Sequence, residues 1–188
     1  MGHFFTGSII MKKIFLSVAL LLFMLPEVAI SQTVWNQSSC DVSFKIKNAG
    51  MGVTGRFPGI TTNLLFSPDN LNASKLQGFA RVGTINTGIN KRDKDLQAKT
   101  YFFADSFNQI SVVSESLYTK GTQYAGMFNV TIKGITKKVE IPFEFNQLGS
   151  EAEFKGTFKL NRRDFNVGGH SLILSDNLEV SLDIKAKR

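Results

Sequence analysis

The sequence predicts an all-β protein, an eight-stranded antiparallel barrel with a short helical insertion after the third strand. Apolar and polar residues alternate with a period of two along most of the chain beyond residue 40, and no segment there keeps a helical period. Glycine-containing turns separate the alternating segments. Eight antiparallel strands can also form a sandwich, but short turns and long alternation favour closure, which removes exposed strand edges.

Residues 1–31 have the layout of a secretory signal peptide. Two lysines precede the apolar run 14–25, and small residues follow at Ala29 and Ser31. This run is much shorter than the roughly 20 residues that a membrane-spanning helix needs. We therefore expect cleavage near Ser31 and a periplasmic or secreted product. Because the signal-peptide pattern begins at Met11, we interpret residues 1–10 as the result of a misassigned start codon.

The remaining residues, 32–188, are long enough for one domain with its own core. Their net charge is +6, but lysine and arginine are dispersed, which indicates solubility with weak attraction to anionic surfaces and argues against nucleic-acid binding. The single cysteine, Cys40, cannot form an intramolecular disulfide. We interpret it as a core or strand-end residue, with an intermolecular bridge as the alternative.

Each predicted element follows from local pattern. The first strand is predicted from the alternation over 42–47. A glycine turn follows it, and the second strand returns after the turn with an interruption at Pro58-Gly59. The third strand covers 76–86, and Asn90 is placed to cap a helix over 91–98, with Asp93 at its third position. The other strands begin near 110 and cover 124–132, 139–145, 154–160 and 178–184, with a long loop from Arg162 to Asp176.

The predicted interior is apolar and partly open. Thirteen phenylalanines remain after residue 31, so most rings carry no polar atom that needs a partner. Small residues at positions predicted to face inward indicate space for a ligand. The alternative is that the aromatic rings fill the barrel as a solid core. The inward-phase small residues are Gly55, Gly78, Ala80, Gly126 and Gly156. The candidate lining residues are Phe44, Phe57, Ala80, Val82, Phe102, Phe103, Val112, Phe128, Val130, Phe143 and Phe158.

Arg92 and Asp93 stand beside the aromatic stretch 101–103 and are candidates for a polar mouth that contacts a headgroup. The alternative is that the pair forms a salt bridge and cap that fasten the helix across the barrel. Arg162 and Asp164 on the late loop allow the same two interpretations, and for this pair we favour the structural one more strongly.

The residue inventory gives no catalytic or metal site. His170 is the one histidine after residue 31, and neither it nor Cys40 lies in a nucleophile motif. No glycine-rich phosphate loop opens a helix, and no ligand cluster has metal spacing. We therefore expect no enzyme activity, no metal and no required cofactor, with His170 exposed in a loop.

Several motifs, in order, resemble the YceI-like family: Val53–Phe57, Ile85–Gly88 with Arg92-Asp93 and Leu96, Gly134–Thr136, and Asn161-Arg162 with Asp164-Phe165. The resemblance spans essentially all of 32–188. It implies a lipocalin-like barrel in exported bacterial proteins, several of which bind polyisoprenoids, isoprenoid quinones or fatty-acid derivatives. Asn48 and Asp95 stand where the family often has histidine, and Asn166 where it usually has glycine. The resemblance adds Asn48 to the candidate mouth.

These observations predict an exported protein that sequesters or transports an isoprenoid lipid, an isoprenoid quinone or a similar long-chain amphiphile. It would bind that hydrophobic small molecule in its barrel and touch membranes only transiently. The alternative is a filled-barrel envelope stress or interaction protein without a small-molecule ligand, for which an outward apolar patch would be the sign. The sequence leaves the oligomeric state open, with a homodimer as one option.

Overall fold

The computed structural model describes residues 32–188; the predicted signal peptide and its cleavage site lie outside them. The described part contains nine strands and one α-helix. No helix in it is both long and apolar enough to cross a bilayer. The elements are β1 Val34–Asn48, β2 Met51–Arg56, β3 Ile60–Leu65, β4 Lys75–Arg81, α1 Asn90–Gln97, β5 Gln109–Lys120, β6 Gln123–Ile132, β7 Ile135–Leu148, β8 Glu151–Asn161 and β9 Leu174–Lys187.

The sheet closes because the first strand pairs with the last. Neighbouring strands are antiparallel throughout, and β1 pairs with β9 along most of its length. On its other side β1 pairs with β2 and, through Val34 and Trp35, with β3. β2 and β3 are therefore two parts of one strand interrupted at 57–59, which confirms the predicted eight-stranded barrel and excludes the sandwich.

The first strand begins well before the predicted start at Val42. Its pairing with β9 shifts register between Gln37 and Ser39. An extra residue at such a bulge reverses which side chains face inward, so the alternation that marks a strand is lost there. The strand itself continues to Val34.

The third predicted strand ends earlier than expected. β4 stops at Arg81, and Val82–Thr84 form a 3-10 turn in which the Ile85 N–H donates to the Val82 carbonyl at 3.1 Å. The Val82 N–H donates to the Asn108 carbonyl at 2.9 Å. Val82 is buried in this turn and no longer follows the strand alternation.

The helix starts differently from its prediction. Asn90 is its first residue and Ile89 occupies the N-cap position without a side-chain bond, so the predicted cap by Asn90 is wrong. The Asp93 carboxylate instead accepts hydrogen bonds from the Thr87 backbone N–H, at 2.8 Å, and from the Thr87 hydroxyl. Asp93 thus fixes the preceding loop to the first turn of α1.

One end of the barrel is filled by aromatic rings. Phe66 is fully buried, with its ring centroid 4.8 Å from that of Phe145 and 5.3 Å from that of Tyr124. The Trp35 indole N–H donates to the Phe66 carbonyl at 3.0 Å, which satisfies a polar group that burial would otherwise leave unpaired. We call this cluster the aromatic floor. It consists of Trp35, Phe66, Tyr124, Phe143, Phe145 and Phe154.

The opposite end carries the two long connections, residues 82–108, which we call the lid segment, and the loop 162–173. The Gly168 N–H donates to the Thr100 carbonyl at 2.9 Å. Gly168 has a φ of +60°, and a Cβ there would lie 2.6 Å from the Tyr101 ring. A glycine is therefore required where the loop approaches the lid segment.

The barrel wall is interrupted between β7 and β8. β7 and β8 pair only over 144–148 and 151–155. Pro142, just beyond this ladder, has no N–H to continue it. The 3-10 turn Arg162–Phe165 packs against β7, with Phe165 almost fully buried, and covers this part of the wall.

Candidate functional site

A cavity of about 600 Å³ occupies the barrel and reaches the rings of the aromatic floor at one end and the lid segment at the other. Small-molecule sites usually enclose about 300–1,000 Å³. Its walls are mostly hydrocarbon side chains from strands all around the barrel. The interior is therefore open, and the alternative of a completely filled barrel is wrong.

Most of the predicted lining residues border this cavity. Two do not. Val82 lies in the 3-10 turn, and the Phe103 ring packs on Phe107 at 5.9 Å, with the Lys99 Nζ 5.8 Å from the Phe103 ring centre. The lid segment is not a strand there, so period-two reasoning does not apply, and the predictions for Val82 and Phe103 are wrong. The residues that border the cavity are Phe44, Phe57, Ala80, Phe102, Val112, Phe128, Val130, Phe143 and Phe158.

Of the five small residues predicted to face inward, the two on β4 open space. Gly78 and Ala80 border the cavity, and a Cβ built on Gly78 would meet no atom within 4 Å. At the other three predicted positions a neighbouring group already fills the space, so the prediction of open room there is wrong. The Phe44 ring covers Gly55, the Leu117 side chain and Ser116 carbonyl cover Gly126, and the Pro142 carbonyl covers Gly156.

Sequence reasoning missed much of the wall. The inward side chains of β9 and of the second half of β1 border the cavity, as do residues of the two long connections. Strict alternation over 178–184 was the available signal for β9, because every inward residue of a closed barrel faces the same interior. The missed residues include Val42, Ile46, Tyr101, Val167, Ile173, Leu178, Val180, Leu182 and Ile184.

Polar side chains border the cavity at the lid end. Arg92 donates through Nε to the Thr87 hydroxyl and through Nη2 to the Thr87 carbonyl, both at 2.7 Å. Three of its five N–H groups have no hydrogen-bond partner within residues 32–188. Asn48 and Ser171 border the cavity at the same end, as does Asp95.

Asp93 does not belong to this mouth. Its carboxylate accepts hydrogen bonds from Thr87, and Asp93 does not border the cavity, so the prediction that it lines the mouth is wrong. The alternative for the Arg92-Asp93 pair holds only as a helix anchor, because within residues 32–188 no salt bridge joins the two side chains and the N-cap has no side-chain bond. Both side chains fasten Thr87, as a helix anchor would, and only Arg92 also reaches the cavity.

Arg162 has a structural role. It is 4% exposed, and each of its five N–H groups has an acceptor at 2.7–3.2 Å. Four of these acceptors are backbone carbonyls of residues 167–175, and the fifth is the Asp176 carboxylate. The neighbouring Asp164 is exposed. Arg162 therefore fixes the course of the loop above the cavity.

Cys40 borders the cavity from β1. Burial raises the pKa of its thiol to about 11, and the neighbouring Asp41 and Asp183 carboxylates add to this effect. A raised thiol pKa keeps the group neutral across the physiological range.

We expect this thiol to resist alkylation in the folded protein. At pH 8, a pKa about two units above the ordinary 9.0 lowers the thiolate fraction roughly 100-fold. Iodoacetamide labelling followed by mass spectrometry should therefore be about 100-fold slower in the native protein than in urea. Equal rates in both states would contradict this assignment.

No group of three or more histidine, cysteine, aspartate or glutamate side chains within residues 32–188 is arranged to hold a metal ion. His170 is exposed in the loop 162–173, as predicted. The site thus combines a hydrocarbon cavity with a polar rim.

Comparison with known proteins finds similar sequences in one family. A model of the YceI-like domain matches residues 34–186. A UPF0312 protein of Vibrio vulnificus is 27% identical over 134 residues, covering 67% of this chain and 71% of its own. A UPF0312 protein of Yersinia pestis is 24% identical over 151 residues, covering 77% and 79%.

Solved structures share the fold. BcnA of Burkholderia cenocepacia superposes with a TM-score of 0.75 at 24% identity, covering 79% of this chain and 96% of its own. A YceI protein of Campylobacter jejuni gives 0.66 at 20% identity, with 72% and 85% covered. A polyisoprenoid-binding domain of Saccharophagus degradans, implicated in plant cell wall breakdown, gives 0.62 at 10% identity, with 82% and 97% covered.

Proposed function

Because the chain belongs to the YceI-like family, we propose that it binds an isoprenoid chain, either a polyprenyl lipid or the tail of an isoprenoid quinone, inside its barrel. The observation that carries the proposal is the cavity of about 600 Å³, whose walls are mostly hydrocarbon and whose charged side chains, Arg92, Asp95 and Arg162, lie at the lid-segment end. An amphiphile has the same division between tail and head. The solved polyisoprenoid-binding domain with the same fold supports an isoprenoid over other long chains.

The cavity suits a tail of moderate length. At about 30 Å³ for each water-sized group, 600 Å³ holds on the order of 20 non-hydrogen atoms. Burying about 20 carbons at ~0.8 kcal/mol each gives roughly 16 kcal/mol before the cost of ordering the chain and the protein. Such a guest would dissociate slowly and remain bound during purification.

The rim favours a head that accepts hydrogen bonds. Arg92 keeps three N–H groups free of partners within the described residues, and the Asn48 amide and Ser171 hydroxyl lie at the same end. A quinone carbonyl or a prenyl phosphate provides suitable oxygen acceptors. We assign the tail to the aromatic floor and the head to this rim.

We also propose that the protein works outside the inner membrane, as a carrier or store that acts by passive partitioning and needs no cofactor. The signal-peptide pattern in residues 1–31 supports export. N-terminal sequencing of protein recovered from the periplasm or medium should begin near Gln32. Retention of Met1 or Met11 would contradict cleavage.

Native mass spectrometry of the purified protein, followed by organic extraction, tests the ligand directly. We expect a stoichiometric prenyl lipid or isoprenoid quinone. An acyl lipid in its place would refute the isoprenoid assignment while leaving the carrier role. A folded, empty protein that also rejects added prenols and quinones would favour the interaction-protein alternative.

Affinity should depend on tail length in a defined way. Each added carbon contributes about 0.8 kcal/mol while it is buried, so binding should strengthen steeply up to roughly 20 carbons. Beyond that length the aromatic floor blocks further burial, and the affinity should level off. A series of prenols from 10 to 40 carbons, measured by displacement of a fluorescent probe, checks this; continued strengthening to the longest tail would contradict a closed floor.

A further inference from the structure

Exposed apolar side chains surround the open end of the barrel. Met51 is 71% exposed, Ile89 52%, Leu172 95% and Ile173 62%. They lie at three connections: Met51 directly follows the β1–β2 turn, Ile89 is in the lid segment, and Leu172 and Ile173 are in the loop 162–173. The Ala49 N–H donates to the Ile173 carbonyl at 2.8 Å, so two of these connections touch. Single exposed apolar residues are ordinary, but four around one opening form a feature of the surface.

The same end is basic. Its connections, residues 49–50, 82–108, 133–134 and 162–173, carry seven lysine and arginine side chains against four aspartates. One of the seven, Arg162, is buried and paired with Asp176, so the net surface charge of these connections is +2. The connections of the aromatic-floor end, residues 66–74, 121–122 and 149–150 with the terminal segments 32–33 and 188, carry one acidic and one basic side chain. The charge of the domain is therefore unevenly distributed along the barrel axis.

We propose that the mouth end docks on a lipid bilayer with anionic headgroups. Lysines such as Lys91 and Lys94 on α1 would face lipid phosphates, while Met51 and Leu172 enter the headgroup layer. The inference rests on the proposed function, since docking by this end would bring the cavity opening to the membrane. A tail could then enter or leave without crossing water.

Charge favours a bilayer over a second copy of this chain. Two mouth ends facing each other would bring together two surfaces of +2. The exposed apolar residues at this end are four side chains, whereas a stable interface buries about 800 Å² on each partner. Projecting apolar side chains within a basic surface are typical of interfacial membrane anchoring.

The proposal is tested by co-sedimentation with phosphatidylcholine vesicles that contain either no anionic lipid or about 30 mol% phosphatidylglycerol, which gives the surface a negative potential. Leu172→Ser should weaken binding to the anionic vesicles about five- to tenfold, because it removes an inserted leucine. Leu148→Ser is the matched control. Leu148 is 85% exposed in the turn at the aromatic-floor end, and neither leucine borders the cavity.

The electrostatic attraction to anionic lipid is tested by the double variant Lys91→Glu/Lys94→Glu, which should weaken binding to anionic vesicles and leave binding to neutral vesicles unchanged. Equal effects of Leu172→Ser and Leu148→Ser, or no preference for anionic vesicles, would overturn the proposal. So would a concentration-dependent dimer, seen by analytical ultracentrifugation, that Leu172→Ser abolishes. Probe displacement without vesicles measures cavity binding separately, so a protein that binds prenols but ignores vesicles refutes docking alone.

Discussion

Arg162→Met should lower the free energy of unfolding by about 3–5 kcal/mol, because it removes five hydrogen bonds and each buried acceptor left without a donor costs about 1–3 kcal/mol. Arg162 is almost fully buried, and all five of its N–H groups are used. Methionine fills much of the volume but leaves four backbone carbonyls and the Asp176 carboxylate without this donor. The loop 162–173 should lose its fixed course, and with it the part of the wall that Val167 and Ile173 provide.

Thermal unfolding of purified variants checks this prediction. At about 2–4 °C per kcal/mol for a domain of this size, the melting temperature should fall by roughly 10 °C. Arg163→Met is the matched control, because Arg163 is the exposed neighbour in the same turn and should change little. Arg162→Lys should also be destabilised, since an ammonium has three donors for five acceptors. A wild-type melting temperature in Arg162→Met would show that the network contributes nothing.

The alternation of apolar residues was sufficient to predict the barrel, because each strand has one face on the interior and one on solvent. It failed where the backbone leaves regular pairing. β1 is bulged between Gln37 and Ser39, and β5 shifts register between Ser114 and Ser116. Each bulge reverses the inward phase within a strand. A single sequence gives no sign of the partner strand that makes the shift necessary.

The candidate site was predictable on the strands and poorly predictable on the connections. Phe102 borders the cavity and Phe103 does not, and this depends on a φ of +52° at Phe103 that no local pattern indicates. At Asn166, in contrast, the residue type itself is compatible with the backbone conformation. It also has a φ of +52°, a conformation that asparagine tolerates better than most residues, which explains how it replaces the glycine usual in the family. Its carbonyl accepts a hydrogen bond from Lys133 Nζ at 2.8 Å.

Gly78→Leu should reduce affinity for an isoprenoid on the order of 100-fold, since four added carbons would displace about four guest carbons at ~0.8 kcal/mol each. Gly78 borders the cavity, and a Cβ there meets no atom within 4 Å. The leucine therefore enters empty space, and the fold should remain intact or become slightly more stable, because glycine weakens a strand interior. Gly126→Leu is unsuitable for this purpose because its Cβ would lie 2.7 Å from the Ser116 carbonyl oxygen.

Gly52→Leu provides the control. Gly52 is also a strand glycine with no atom within 4 Å of a built Cβ, but it is exposed and does not border the cavity. Probe displacement and thermal unfolding should be measured together on both variants. Loss of binding in a folded Gly78→Leu, with normal binding in Gly52→Leu, would place the guest against β4. Unchanged binding in both would mean that the lipid lies elsewhere, because no guest filling this cavity could avoid the new side chain.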